Sequence, residues 1–303
     1  MSRNRERAIA TVDKALAEGE KMTPADMLFS YKGVLYPTTF SSPETLEALK
    51  SFEARSDDVI LAGYPKTGTN WLDQILRELE SADARYTEEE MKERMDAEKE
   101  LELSRMKKLP SRRIIVTHLP PHLLPPSFFQ GKAKILVLVR NPKDTAVSYY
   151  HFYNKMTMLP SFSSWDEYFA AFMNGKLTWG SYFDHTVEWN KHSDHENIMM
   201  ISYEELQEDQ VLGMKKIAAF FGFSLSEEDF SRIAKKTSFQ AMKEKSYETH
   251  GKSGDILFRK GVVGSWREFF SETQNEEMDR KFEECLGGTK LVAMMKYDVY
   301  CKA

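Results

Sequence analysis

A chain of 303 residues, 41% hydrophobic, 12% aromatic and 29% charged, falls among soluble globular proteins and is long enough to bury a large core. A formal net charge of -5 argues against nonspecific nucleic-acid binding, so any site for an anion has to be built locally. Cys285 and Cys301 cannot form a disulfide framework and lack metal-ligand spacing, which predicts a reducing, cytoplasmic setting.

The opening residues, MSRNRERAIATVDKALAEGEK, carry charges throughout and no apolar h-region; they read as a helix over Arg5 to Glu20 and not as a secretory signal. An irregular aromatic stretch follows, in which Phe29, Tyr31, Tyr36 and Phe40 suit a core or one wall of a pocket. Glu44 to Arg55 reads as a short helix. No apolar run approaches the roughly 20 residues of a bilayer span. The best, Ile135 to Val139, is one strand's worth, so no membrane partner is expected.

Val59 to Leu79, VILAGYPKTGTNWLDQILREL, is the most informative stretch. A continuous apolar run ending at Gly63 predicts a strand buried on both faces. Trp71, Leu72, Ile75, Leu76 and Leu79 then fall at the helical period, with Thr69 or Asn70 as N-cap. Strand, tight turn and helix N-terminus in that order make an anion-binding geometry. The spacing of Gly63 and Gly68 is P-loop-like, imitating the first half of GxxxxGK[ST]. In that pattern the lysine follows the second glycine and a hydroxyl beside it holds magnesium. Here Lys66 lies inside the turn, while Thr69 and Asn70 follow Gly68. The arrangement predicts a phosphate-bearing donor handled by a lysine and backbone amides, with no required metal. An ordinary strand-to-helix turn with a solvated lysine competes with this reading, as does a magnesium-dependent nucleotide kinase.

Arg85 to Lys108 alternates acidic and basic residues on a helical background, which suits a solvated helix or a mobile cover over a site. Arg112 to Val116 reads as a strand, with His118 just past its end, where the prolines of THLPPHLLPP stop any helix. A strand over Lys134 to Val139 leads into RNPKDTAVSYYHFYNK, which puts Arg140 at the strand edge, Pro142 at the first helical position and Ser148 inside the helix. A fourth strand, Asn197 to Ser202, ends at Tyr203. Segments around WDEYFAAFM, SYFDHTVEWNKH and QVLGMKKIAAFFG are helical, with Gly222 as C-cap. The alternation predicts an α/β fold, a central mostly parallel sheet flanked by helices, in a single domain over residues 1–303. Lys66, His118, Arg140 and Tyr203 each follow a strand's carboxyl end, the edge where open parallel sheets bind ligands.

At these residues the sequence resembles the cytosolic sulfotransferase family, and within it the 6B-type branch. YPKTGTNW is similar to the family's YPKSGTTW, THLP to its catalytic-histidine segment, RNPKDTAVSYYHF to its 3'-phosphate segment and FRKGVVGSW to its RKGxxGDW. The resemblance runs from about Gly33 to Phe270. It implies a sulfotransferase fold and transfer of a sulfuryl group from 3'-phosphoadenosine 5'-phosphosulfate to the hydroxyl or amine of a small acceptor. It further implies that Lys66, Thr67, Gly68, Thr69 and Asn70 surround the 5'-phosphosulfate and Trp71 stacks on adenine. Arg140 and Ser148 would hold the 3'-phosphate, closed over by Arg259, Lys260 and Gly261. Tyr203, Thr237, Phe239 and Met242 would line the nucleoside, and Phe152 would face the acceptor. His118 would be the base and Lys66 the charge stabiliser, with Ser148 engaging Lys66 before the acceptor binds. The aromatic content near Phe152 favours a flat phenolic acceptor.

Departures from the family pattern bear on rate and acceptor range. Val116 stands where the family usually has lysine, and Ser265 replaces the aspartate of GDW. A nucleotide-binding protein without turnover is a third reading that these changes admit. The family's dimer segment KxxxTVxxxE aligns with Arg267, Ser271, Glu272 and Glu276. Glu272 puts a charge where a valine would be buried, so a monomer or weak homodimer is expected.

Overall fold

The computed structural model describes residues 3–87, 89–90, 112–131 and 133–302. Most of the charged stretch from Arg85 to Lys108, expected as a solvated helix or cover, lies outside the described residues.

The chain opens with helix α1 (Arg3–Gly19), close to the expected span. The aromatic stretch expected to be irregular is a hairpin, in which β1 (Leu28–Tyr31) pairs antiparallel with β2 (Val34–Pro37). Lys32 and Gly33, at φ 49° and 81°, form the two-residue turn whose twist matches a hairpin, so the Lys-Gly pair was the signal available. Helix α2 (Pro43–Leu49) stops short of the expected Arg55. Beyond it the chain turns inward, burying Phe52 edge-on against Phe128 and under the Arg113 guanidinium, 4.9 Å from the ring centre.

Four parallel strands make the centre: β3 (Val59–Gly63), β4 (Ile114–Thr117), β5 (Lys134–Val139) and β6 (Ile198–Ser202), in the order β4-β3-β5-β6. Val59 pairs with Ile114 on one side and Lys134 on the other, and Ile135 pairs with Ile198. The two-residue period sends Ile60, Ala62, Ile115, Ile135 and Val137 to one face and Val59, Leu61, Ile114, Leu136 and Leu138 to the other. Each set joins its own hydrophobic core. That double burial is why β3 and β5 read as unbroken apolar runs. Just before β3 and β4, Asp58 and Arg113 form a buried ion pair that aligns the strand starts. Removing either partner alone would cost about 3–5 kcal/mol.

Helices cover both faces. α3 (Thr69–Ala84) packs on one through Leu72, Ile75, Leu76 and Leu79. α4 (Pro142–Lys155), α5 (Trp165–Met173) and α6 (Tyr182–Asn190) cover the other through Tyr149, Phe169 and Tyr182. α7 (Tyr203–Glu208) leads into α8 (Gln210–Phe221) and α9 (Glu227–Lys236), which return to the α3 side through Met214, Ile217, Phe230 and Ile233. Gly222 closes α8 in the left-handed conformation, as expected. α10 (Phe239–Glu244) and α11 (Glu272–Leu286) complete the chain's longer helices, α11 joining the α4 side through Met278 and Phe282. No helix among the described residues is long and apolar enough to cross a membrane.

Because the strands are parallel, their carboxyl ends at Gly63, Thr117, Val139 and Ser202 share one rim. β4 ends one residue later than expected. Tyr203, expected just past the end of the fourth strand, follows β6 directly and begins α7.

Candidate active site

At that rim a cavity of about 580 Å³ opens, and Lys66, His118, Arg140 and Tyr203 all line it. The turn that starts it is built by backbone demands. Gly68, not Thr69 or Asn70, is the N-cap of α3, at φ 106°. A Cβ there would stand 2.7 Å from the Tyr203 ring, so both conformation and space require glycine. No described side chain caps α3. The amides of its first turn are thereby available to an anion. Thr69, Asn70 and Trp71 line the cavity beside them, the Trp71 ring set edge-on to Tyr203 at 5.4 Å.

Lys66 also takes a left-handed conformation, φ 69°, and its carbonyl accepts from Arg140 Nη1 at 3.2 Å. Its ammonium lies 4.7 Å from the Phe152 ring centre. Burial, with Arg140 and Arg259 adding repulsion, holds its pKa down to about 7. His118 Nδ1 sits 2.7 Å from the Gly63 carbonyl. A carbonyl only accepts, so Nδ1 carries the proton and Nε2 keeps the lone pair of the neutral ring. Burial lowers the His118 pKa; the Gly63 carbonyl opposes this and the Lys66 charge adds to it.

Arg140 lies over the Tyr203 ring at 4.1 Å, its Nη2 donates to the Val262 carbonyl at 3.1 Å, and its Nε is buried without a partner among the described residues. Ser148 and Phe152, four residues apart on α4, face the cavity together. Arg259 donates to Ser265 Oγ at 3.0 Å, and Lys260 pairs with Glu268. Gly261 adopts φ 66°, where a Cβ would stand 2.2 Å from the Phe239 ring, so this segment lies hard against α10. Phe239 and Met242 line the same cavity.

Two expected residues lie behind the wall. The Thr67 hydroxyl donates to the Tyr64 carbonyl at 2.7 Å and closes the turn. Thr237 is fully buried, its carbonyl accepting from Trp71 Nε1 at 2.8 Å and its hydroxyl donating to Ile233 at 2.8 Å. Both fix neighbours that do face the cavity.

Tyr36 and Phe40, expected in a core or one wall of a pocket, line the cavity's apolar lobe, whereas its other members, Leu46, Phe52, Phe128, Met156 and Trp179, were not singled out by the sequence. Trp179, at φ 62°, sets its ring edge-on to His118 at 5.5 Å. These residues come from loops and short helices whose meeting no local pattern announces. Val116 is 39% exposed and lines the cavity beside His118.

Fold and rim together define an α/β group-transfer architecture, and residues 56–290 match the sulfotransferase domain family, so the chain belongs to that family. It is 49% identical to Sulfotransferase 6B1 of Mus musculus over 296 residues, 96% of this chain and 97% of the relative. Sulfotransferase 2A1 of Homo sapiens is 37% identical over 271 residues, 86% and 95% of the two chains. The crystal structure of mouse sulfotransferase SULT7A1 complexed with PAP superposes at a TM-score of 0.80 with 33% identity, covering 92% of this chain and 100% of that one. The resemblance to the family and its 6B-type branch is borne out, and the kinase reading is set aside.

Proposed function

We propose that the chain transfers a sulfuryl group from 3'-phosphoadenosine 5'-phosphosulfate to the hydroxyl of a small phenolic acceptor, such as an iodothyronine, a simple phenol or a steroid, by in-line displacement with His118 as base. The observation that carries this reading is that Lys66 and His118 share one cavity, with Nδ1 of the histidine committed to Gly63 and Nε2 left basic. The cavity suits a nucleotide phosphorylated at two ends: a helix N-terminus without a side-chain cap among the described residues lies at one place, and Arg140 and Arg259 line another. When bound, the donor supplies an electrophilic sulfuryl group on a phosphate leaving group.

Lys66 and the amides of Gly68, Thr69 and Asn70 hold its 5' end, and Lys66 stabilises charge growing on the bridging oxygen. Ser148 holds Lys66 until the acceptor arrives, which restrains hydrolysis. Trp71 offers a face to adenine, while Tyr203, Phe239 and Met242 line the nucleoside. Arg140, Ser148, Arg259, Lys260 and Gly261 hold the 3'-phosphate. His118 Nε2 takes the acceptor proton, and Phe152 with the apolar lobe orients the ring that carries it. No Asp or Glu is among the described residues of the wall, so an ammonium acceptor would be buried without a counter-charge. An uncharged phenol meets no such cost. Val116 enlarges this apolar wall. A labelled-donor assay across phenols, steroids and amines, with Lys66 and His118 variants as controls, tests the reading; turnover of amines alone would overturn the acceptor class.

The pH profile should show the ionisations. In the free enzyme Lys66 is charged below about 7 and neutral above it, so kcat/KM for the anionic donor is expected to fall as pH rises through that value. His118, held below its ordinary value by burial, stays unprotonated to lower pH than a free imidazole, which moves the acid limb down. An alkaline limb above pH 9 would remove the buried-lysine account.

We read the chain as a single-domain, cytoplasmic monomer working without a metal and without nucleic-acid or membrane partners. Glu272 is exposed in the first turn of α11, where it complements the helix dipole. Static light scattering at micromolar concentration is expected to give a mass near the chain's 35.1 kDa, and a stable dimer mass would refute the assignment.

A further inference from the structure

Glu204, fully buried one residue after Tyr203, touches neither cavity nor solvent. Its Oε1 accepts from the Asn141 amide at 3.0 Å and from Asn141 Nδ2 at 2.7 Å, while Oε2 has no partner among the described residues. Asn141 is the N-cap of α4, its Oδ1 accepting from the Asp144 amide at 2.8 Å, and it directly follows Arg140. The Asp144 carboxylate in turn accepts from Asn141 Nδ2 at 3.0 Å, Gly264 N at 2.7 Å, Trp266 N at 3.1 Å and the Ser265 hydroxyl at 3.2 Å. Ser265 then takes the Arg259 guanidinium at 3.0 Å. A continuous buried network therefore runs from Glu204 through Asn141, Asp144 and Ser265, tying Arg140 at one end to Arg259 at the other.

We propose that Glu204 is a positioning residue for the donor's 3'-phosphate, setting Arg140 and Arg259 at a fixed separation through Asn141, Asp144 and Ser265. The inference rests on the donor reading above and names residues that do not themselves touch the ligand. Two arginines brought close repel each other, and no carboxylate is among the described residues of the cavity wall. A buried network anchored on carboxylates holds them apart from behind, so that a phosphate meets both without reorganisation. It also joins the β5–α4 junction to the 259–266 segment, two parts of the chain far apart in sequence.

The test compares two ligands that differ only at the position in question, adenosine 3',5'-bisphosphate and adenosine 5'-monophosphate, by calorimetry on the whole chain. Glu204→Ala is expected to weaken the bisphosphate about tenfold, the scale of a lost hydrogen bond to a charged group, and to leave the monophosphate within about twofold. Glu204→Gln retains an accepting oxygen for Asn141 and should recover most of the loss. Ser265→Ala, a mild change at the far end, should weaken the bisphosphate alone by about threefold. Should Glu204→Ala fail to fold, the glutamine and Ser265 variants carry the same comparison. Equal losses for both ligands would show a general structural role and overturn the proposal, as would no loss in any variant. If the wild-type chain does not prefer the bisphosphate, the donor reading itself fails and this proposal with it.

Discussion

Replacing His118 with alanine is expected to lower kcat by about 10²–10⁴-fold, the range a positioned general base supplies. Donor affinity should hardly change, because the ring is tied to the Gly63 carbonyl and packed edge-on to Trp179, on the side of the apolar lobe. His118→Asn would be no better, since an amide has no basic nitrogen to take a phenol's proton. Stopped-flow turnover with donor binding measured separately resolves the two quantities. A variant that turned over normally would sink the base assignment, and one that lost donor affinity as well would place His118 in the nucleotide site instead.

Lys66→Met is the second large effect and differs in kind. It removes a charge that meets the donor both before and during transfer, so kcat should fall about 10²–10³-fold and donor affinity should fall with it. The alkaline limb near pH 7 should also disappear, since the group that titrates there is gone. Thermal stability should hold or rise, because the ammonium is confined with two arginines and loses more by burial than it gains. A Lys66→Met enzyme with unchanged donor affinity would mean that the loop amides and arginines alone hold the anion.

How much of the fold and site is legible in the sequence depends on whether a feature is local. Gly63, Gly68 and the Trp71 to Leu79 periodicity announce strand, turn and helix because each is set by neighbours within a few residues. The Lys32-Gly33 turn was equally local and was overlooked among aromatics. Helix α2 ends at Leu49, short of the expected Arg55, and nothing near Leu49 signals that Phe52 will be pulled into a contact with Phe128. Thr67 and Thr237 show a different limit: which hydrogen bonds they make, Thr67 with the Tyr64 carbonyl and Thr237 with the Trp71 indole, is set by the fold and not by any local pattern.

The order of elements, the parallel sheet and the rim carrying Lys66, His118, Arg140 and Tyr203 follow from the sequence alone, because apolar period and glycine placement are short-range properties of a chain. The tertiary structure decided the rest: which tautomer His118 adopts, the depressed pKa of Lys66, the apolar lobe and the buried path from Glu204 to Arg259. Those depend on burial and on partners tens to more than a hundred residues away. Hydrogen bonds and electric fields act through space, and only folding sets those distances.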